Sequence, residues 1–338
     1  MTYLFFIHSN TCLVMTRGII DHLGLSKANV CCLVSRNVTV EDYKVIKVPD
    51  YVYYALGPRY KGLMPKNIFQ NLRSILWCNQ VKRKWDGYEV FCHNNRDLKQ
   101  NIFINSRRCR AAHFFEDGVD FLVDKNEYNK KYPEYNKSTL LLRRLLVVCT
   151  CSWGYRVFPD PLNVGDSSLF VLTTSSLAWK DTPKSLVMTS VDKNDNQYLD
   201  YDIWLPSGLV KQNIVSFDVY MKFWKSISKS YRFNRKLAIK FHPAQIKQER
   251  EAIISIAKQQ YSVVSIIDVN IEQLAQNGNR VYIGCGSGLL AYCKLLNPAN
   301  KVIVGYSHLH QINSTRTPRS DYWDNLFSNA IYRDTFIR

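Results

Sequence analysis

The feature that most constrains this chain is a strand–helix alternation that runs, stops and starts again. "YLFFIH" is a short apolar run of strand length. "TCLVMTRGIIDHLG" then repeats apolar residues at helical spacing and ends at Gly24, and "NVCCLVS" and "DYKVIKVP" return to strands, the last closed by Pro49. "NIFQNLRSILWC" predicts a helix, "YEVFCHN" a strand, and a connection leads on to "AAHFFEDG". Strands alternating with helices imply a mostly parallel sheet with helices packed on it.

The pattern then breaks. "KNEYNKKYPEYNKS" is polar, "TLLLRRLLVVCTCS" is helical, and "WGYRVFPDPLNVGD" carries two prolines and two glycines like a linker. Beyond it the alternation resumes with strand "SLFVLTT", helix "NIVSFDVYMKFWKSISKSY", strand "RKLAIKFHP", helix "QEREAIISIAKQQ" and strand "YSVVSIID". Helix "NIEQLAQNG", strand "NRVYIGCGSG", helix "LLAYCKLLNP" and strand "KVIVGYS" complete it. At 338 residues the chain suits two domains rather than one. The expectation is an α/β protein of two Rossmann-like domains facing a central cleft: residues 1–157, residues 158–312, and C-terminal helices over 313–338 that could cross back to the first domain.

In open parallel sheets ligands bind beyond the carboxyl ends of the strands, and three groups of polar residues fall there. Glu116-Asp117-Gly118 follows the strand in "AAHFFEDG". A carboxylate so placed can act as a general base, although Asp-Gly is also an ordinary turn pair. His242-Pro243 ends "KLAIKF"; the proline stops the strand, and the imidazole can donate to a departing phosphate or simply occupy a loop. Gly286-Ser287-Gly288 sits between a strand and a helix, where exposed amides and a hydroxyl suit a phosphate. The same glycines also permit a tight packed turn, and they match neither the G-K-[ST] nor the G-x-G-x-x-G phosphate loops. Ser9-Asn10-Thr11, after the first strand, is either a substrate loop or a helix N-cap.

Taken together, an acid in the first half and a histidine with a phosphate cradle in the second are what transfer from a nucleotide-linked sugar requires. In order and spacing the three motifs resemble the bacterial sialyltransferases of lipooligosaccharide and capsule synthesis, whose marks are D/E-D/E-G, His-Pro and a downstream serine. The resemblance spans most of the chain. It implies a GT-B fold, CMP-sialic acid as donor, no cofactor, and inverting transfer without a metal to a galactose- or sialic-acid-terminated glycan. It implies Glu116 as the base, with Asp117 the less favoured acid, and His242 assisting CMP departure. Ser287, flanked by Gly286 and Gly288, would hold the phosphate. Lys240 and Pro243 would lie against the nucleotide, and Glu272 would meet the ribose hydroxyls, though a first-turn glutamate is also favoured by the helix dipole. One departure stands out: the family commonly has Ser-Ser or Ser-Thr where this chain has Ser287-Gly288.

The formal net charge of +17 fits anionic partners: the donor, the glycan or an anionic membrane face. Nucleic acid is disfavoured, because the basic residues are interspersed through β/α elements without a recognisable binding module. A Kdo transferase, also fed by a CMP-activated acid and carrying a comparable His-Pro element, is the alternative enzyme. The ten cysteines include no pair at zinc-ligand spacing and lie largely in apolar runs, which predicts buried thiols. No stretch approaches the roughly 20 apolar residues of a membrane span, and the N-terminus has no basic n-region. A bacterial cytoplasmic protein, resting at most on the inner membrane face, is expected.

Overall fold

The computed structural model describes residues 1–35, 38–49, 65–93, 98–117, 141, 169–171, 184–187, 198–211, 213–243, 245–276, 278–285, 287–305 and 309. The chain divides into two compact units, Met1–Ser190 and Val191–Arg338.

Unit 1 alternates β1 (Thr2–Ile7), α1 (Asn10–His22), β2 (Val30–Val34), β3 (Lys44–Lys47), α2 (Pro65–Lys82), β4 (Tyr88–Cys92), α3 (Leu98–Ile104) and β5 (Cys109–Phe115). Two short strands follow, β6 (Leu169–Val171) and β7 (Lys184–Leu186). All pair in parallel in the order β3-β2-β1-β4-β5-β6-β7. The central strands read as unbroken apolar runs because both faces of such a sheet are covered. Leu4, Phe5, Cys32, Leu33, Val90 and Phe91 are all fully buried. Phe5 stacks on Phe91 at 4.3 Å and Phe91 on His113 at 4.7 Å, so one row of rings crosses three adjacent strands.

Unit 2 contains β8 (Tyr201–Leu205), α4 (Phe217–Ser230), β9 (Lys236–Ile239), α5 (Lys247–Lys258), β10 (Val263–Ile266), α6 (Ile271–Gln276), β11 (Val281–Gly284), α7 (Gly288–Leu296) and β12 (Lys301–Val304). Its sheet is again parallel, in the order β10-β9-β8-β11-β12. Helix α4 starts at the N-cap Ser216, whose hydroxyl accepts from Val219 N. It turns Tyr220, Phe223, Trp224 and Ile227 inward, the spacing of a one-faced helix, and Trp224 packs on Trp204 of β8 at 4.7 Å. Gly284 is required at the end of β11, since a Cβ there would stand 2.8 Å from the Leu205 carbonyl oxygen of β8.

The structure corrects the domain boundary. Strand 169–171, expected to open the second domain after a break at 157, pairs with β5 in the first sheet, and the division falls after Ser190. A strand joins whichever sheet offers an unpaired edge with matching register, and β5 offers one. The second sheet begins instead with β8, a strand absent from the sequence expectation because Asp200 and Asp202 interrupt its apolar run. Asp202 is nevertheless fully buried. Its carboxylate accepts from Phe233 N, Asn234 N, Asn234 Nδ2 and the Tyr261 hydroxyl, which offsets the cost of burying the charge. The polar break, the helical stretch and the linker expected over 125–166 lie, Leu141 apart, outside the described residues, as do Gly118, Gly286 and the 313–338 helices. The described cysteines other than the half-buried Cys109 are buried, as expected, and burial raises Cys31 to about 11 and Cys32 to about 12. No described helix is long and apolar enough to cross a membrane.

Candidate functional site

In each sheet the strand order reverses beside the first strand, the place at the strands' carboxyl ends where open α/β sheets bind their ligands. In unit 1 the reversal lies between β1 and β4. His8 and Ser9 follow β1 directly, His93 follows β4, and the neighbouring β5 delivers Glu116 and Asp117 to the same end.

Asp117 is the hub of this cluster. Its Oδ2 lies 3.0 Å from His8 Nε2, its Oδ1 accepts from Ser9 Oγ at 3.1 Å, and Cys12 Sγ lies 3.5 Å from the same oxygen. Cys12 Sγ is also 3.4 Å from His8 Nδ1, and the His8 and His93 rings are 4.0 Å apart. Gln100 Nε2 lies 3.1 Å from His93 Nδ1. Burial alone would raise the Asp117 carboxyl. The hydrogen bond and charge of His8, with the charge of His93, outweigh that and hold it well below the usual carboxylate range. Cys12 moves the other way: burial first, and Asp117 second, push its thiol well above the ordinary value.

The two adjacent acids are therefore unlike. Glu116 is 0% exposed, and its N–H extends the ladder to the Phe170 carbonyl at 2.9 Å. The Asp117 side chain keeps 18% of its surface open. It is the second acid, Asp117, that meets His8, Ser9 and Cys12. Ser9 is the N-cap of α1, accepting from Cys12 N at 3.1 Å while donating to Asp117. Of the two roles weighed for it in sequence, the structure shows the helix N-cap, whose hydroxyl also donates to Asp117. Asn10 is exposed and Thr11 half-buried in the first turn behind it.

In unit 2 the reversal lies between β8 and β11. The loops leaving them are tied together: Ser207 Oγ donates to the Cys285 carbonyl at 2.6 Å, and the Tyr220 hydroxyl accepts from Ser207 N and donates to Ser207 O, both at 2.9 Å. Ser287 takes the N-cap position of α7, yet its side chain makes no capping bond, and Gly288 is the first helical residue. The hydroxyl is thus not committed to the helix. His242 and Pro243 are exposed beyond β9. The His242 N–H donates to Gln245 Oε1, and Gln245 N donates back to the His242 carbonyl, both at 2.9 Å, so the loop's shape is set locally. Lys240 Nζ donates to the Val269 carbonyl and lies 3.6 Å from Asp268 Oδ1, tying β9 to the loop before α6. Glu272 is 7% exposed in α6, and its charge adds to burial in raising the Cys293 thiol of α7.

The structure thus gathers Ser9, Glu116 and Asp117 at one strand-end site, and Lys240, His242, Pro243, Ser287 and Gly288 at strand ends of the other unit. Sequence reasoning missed His8, Cys12, His93 and Ser207. The signal was present, since His8, His93 and Ser207 each lie within two residues of the end of a strand beside the reversal. What was lacking was the knowledge of which strands are neighbours.

No family model matches this sequence, and no curated protein matches it. Solved structures do. A Staphylococcus aureus MnaA–UDP co-structure is 13% identical with a TM-score of 0.50, covering 91% of this chain and 80% of that one. The chain has the GT-B fold. Lower likeness extends to the Methanocaldococcus jannaschii UDP-GlcNAc 2-epimerase in complex with UDP-GlcNAc and UDP, 14% identical, TM-score 0.45, covering 90% of this chain and 83% of that one. It extends also to WaaG, a glycosyltransferase involved in lipopolysaccharide biosynthesis, at 11% identity and TM-score 0.43, covering 98% and 92%. At such identities the likeness is one of fold.

Proposed function

We propose that this chain is an inverting glycosyltransferase that moves sialic acid from CMP-sialic acid to a hydroxyl of a bacterial surface glycan. The observation that carries the reading is the seat of Asp117: an ionised, partly open carboxylate beside the strand reversal of a GT-B unit, oriented by Ser9 and His8. Unit 1 serves the acceptor and unit 2 the donor. Asp117, rather than the fully buried Glu116, takes the acceptor proton as the oxygen bonds to the anomeric carbon. A carboxylate held this acidic takes it late, once that oxygen has become strongly acidic.

On the donor side His242 stabilises the departing CMP phosphate, and Ser287 with the first turn of α7 receives it. Lys240 and Pro243 line the nucleotide. Glu272, enclosed against α7, is a support for that helix more than a ribose ligand. The charge of +17 draws an anionic donor and a glycan at an anionic membrane face. That an S. aureus protein of similar fold is seen with UDP supports a nucleotide ligand and makes a UDP-sugar the second reading.

The test is donor choice. Purified protein is offered CMP-sialic acid, CMP-Kdo and UDP-GlcNAc in parallel with galactose- and sialic-acid-terminated acceptors, and products are identified by mass spectrometry. Sialylated product from the first donor is expected. Turnover of only CMP-Kdo or only the UDP-sugar overturns the donor assignment while keeping the transferase.

A further inference from the structure

The cluster around Asp117 contains more than a base and its supports. His8, Cys12 and His93 each offer a ligand atom, and these atoms all lie within 4.8 Å of one another. We propose that His8, Cys12 and His93 form a binding site for a borderline-soft divalent cation of the zinc class.

Three observations carry it. The first is spacing. In a tetrahedral site with Zn–N near 2.1 Å and Zn–S near 2.3 Å, neighbouring ligand atoms stand roughly 3.5 Å apart. Cys12 Sγ and His8 Nδ1 already stand 3.4 Å apart.

The second is the orientation of His8. Asp117 Oδ2 faces Nε2 at 3.0 Å. A carboxylate there holds the proton on Nε2 and leaves the Nδ1 lone pair directed at the sulfur. Carboxylate, imidazole and metal in series is the usual support of a metal-ligating histidine. The Gln100 amide nitrogen stands at the edge of the His93 ring, 3.1 Å from Nδ1 and 3.2 Å from Nε2, and must yield one of these nitrogens to the cation.

The third is the donor set. Two imidazoles and a thiol suit zinc-class ions over magnesium or calcium, which prefer all-oxygen shells. Three protein ligands leave a fourth position for water, beside the open edge of Asp117.

Binding is a proton exchange. The buried Cys12 thiol gives its proton to solvent, the thiolate bonds to the cation, and the N-terminus of α1 favours that negative charge. No oxidation takes place. The transfer reaction proposed above uses no metal, so occupancy is a separate property of the same strand-end site. A cation beside Asp117 would make it a poorer base, so zinc is expected to slow transfer.

The experiment reads binding without donor or acceptor, so its failure and that of the transferase reading remain distinguishable. The full chain, stripped with chelator, is titrated with Zn2+ by calorimetry in two buffers of different ionisation enthalpy, and with Co2+ by absorption. Expected are one ion per chain, a net proton release, and the near-ultraviolet thiolate-to-cobalt band. That band should vanish in Cys12→Ser. Zn2+ affinity should fall in His93→Gln and drop by about tenfold or more in Asp117→Asn, through loss of the support on His8. Circular dichroism checks folding, and His93→Gln carries the test if Cys12→Ser does not fold. Wild-type affinity no tighter than that of His93→Gln, or a thiolate band that survives in folded Cys12→Ser, overturns the site.

Discussion

The two units share one architecture and build different strand-end sites on it. In unit 1 the reversal between β1 and β4 is crowded with titratable side chains that touch one another: His8, Cys12, His93 and Asp117. In unit 2 the same topological place, between β8 and β11, is closed by two hydroxyls, two backbone carbonyls and a backbone amide through Ser207, Tyr220 and Cys285. Its histidine lies exposed beyond β9. A crowded set of ionisable groups shifts pKa values and can move protons or hold a cation. A site of amides and hydroxyls keeps its charge constant and suits an anion that must bind and leave. One fold therefore supplies two chemistries by what it seats in equivalent loops.

The sharpest way to break that contrast is to neutralise each side in turn. Asp117→Asn should lower turnover by about 10²–10⁴-fold, the usual worth of a general base, with CMP binding by calorimetry nearly unchanged. Glu116→Gln should cost far less in the same assay, and the reverse ranking would return the base to Glu116. Of similar size but in stability rather than rate, Trp224→Ala should destabilise unit 2 by about 3–5 kcal/mol, measured by chemical denaturation, because it opens a cavity against Trp204. Next, His242→Ala should reduce turnover by roughly 10–100-fold, less than removal of the base, and a donor with a better leaving group should restore much of the loss.

The smallest effect is on stability against pH. The folded Asp117 carboxyl lies below its unfolded value near 3.9. Its ionisation therefore contributes stability above about pH 4, and that contribution is lost as pH falls further toward the folded value. Wild type and Asp117→Asn should therefore converge in relative stability as acid is added, and a constant difference down to low pH would argue against the His8 pairing.

Much of this was legible in the chain. Apolar runs of strand length and helices with one apolar face are local patterns, and nearly every such segment within the described residues became the expected element. The exceptions have physical causes. β8 was hidden because Asp202 reads as polar, and only four donors from distant residues make that carboxylate tolerable inside. β6 was assigned to the wrong half because an edge in need of a partner, not sequence order, chose its sheet.

The choice between the two acids was equally out of reach. The pairing of β4 with β5 shifts register between Tyr88 and Glu89, so Arg110 is passed over in the ladder. One extra residue reverses the facing of everything after it, and Glu116 and Asp117 follow it. By itself, then, the sequence determined the two parallel sheets and the strand ends at which polar residues collect, because alternation and helical periodicity act over a few residues. Only the tertiary structure decided that Asp117 meets His8, Ser9 and Cys12 while Glu116 is fully buried, and that His8, Cys12 and His93 lie together. Those facts depend on which strands lie side by side and in what register, and the pairing of β1 with β4 joins residues more than eighty positions apart in the chain.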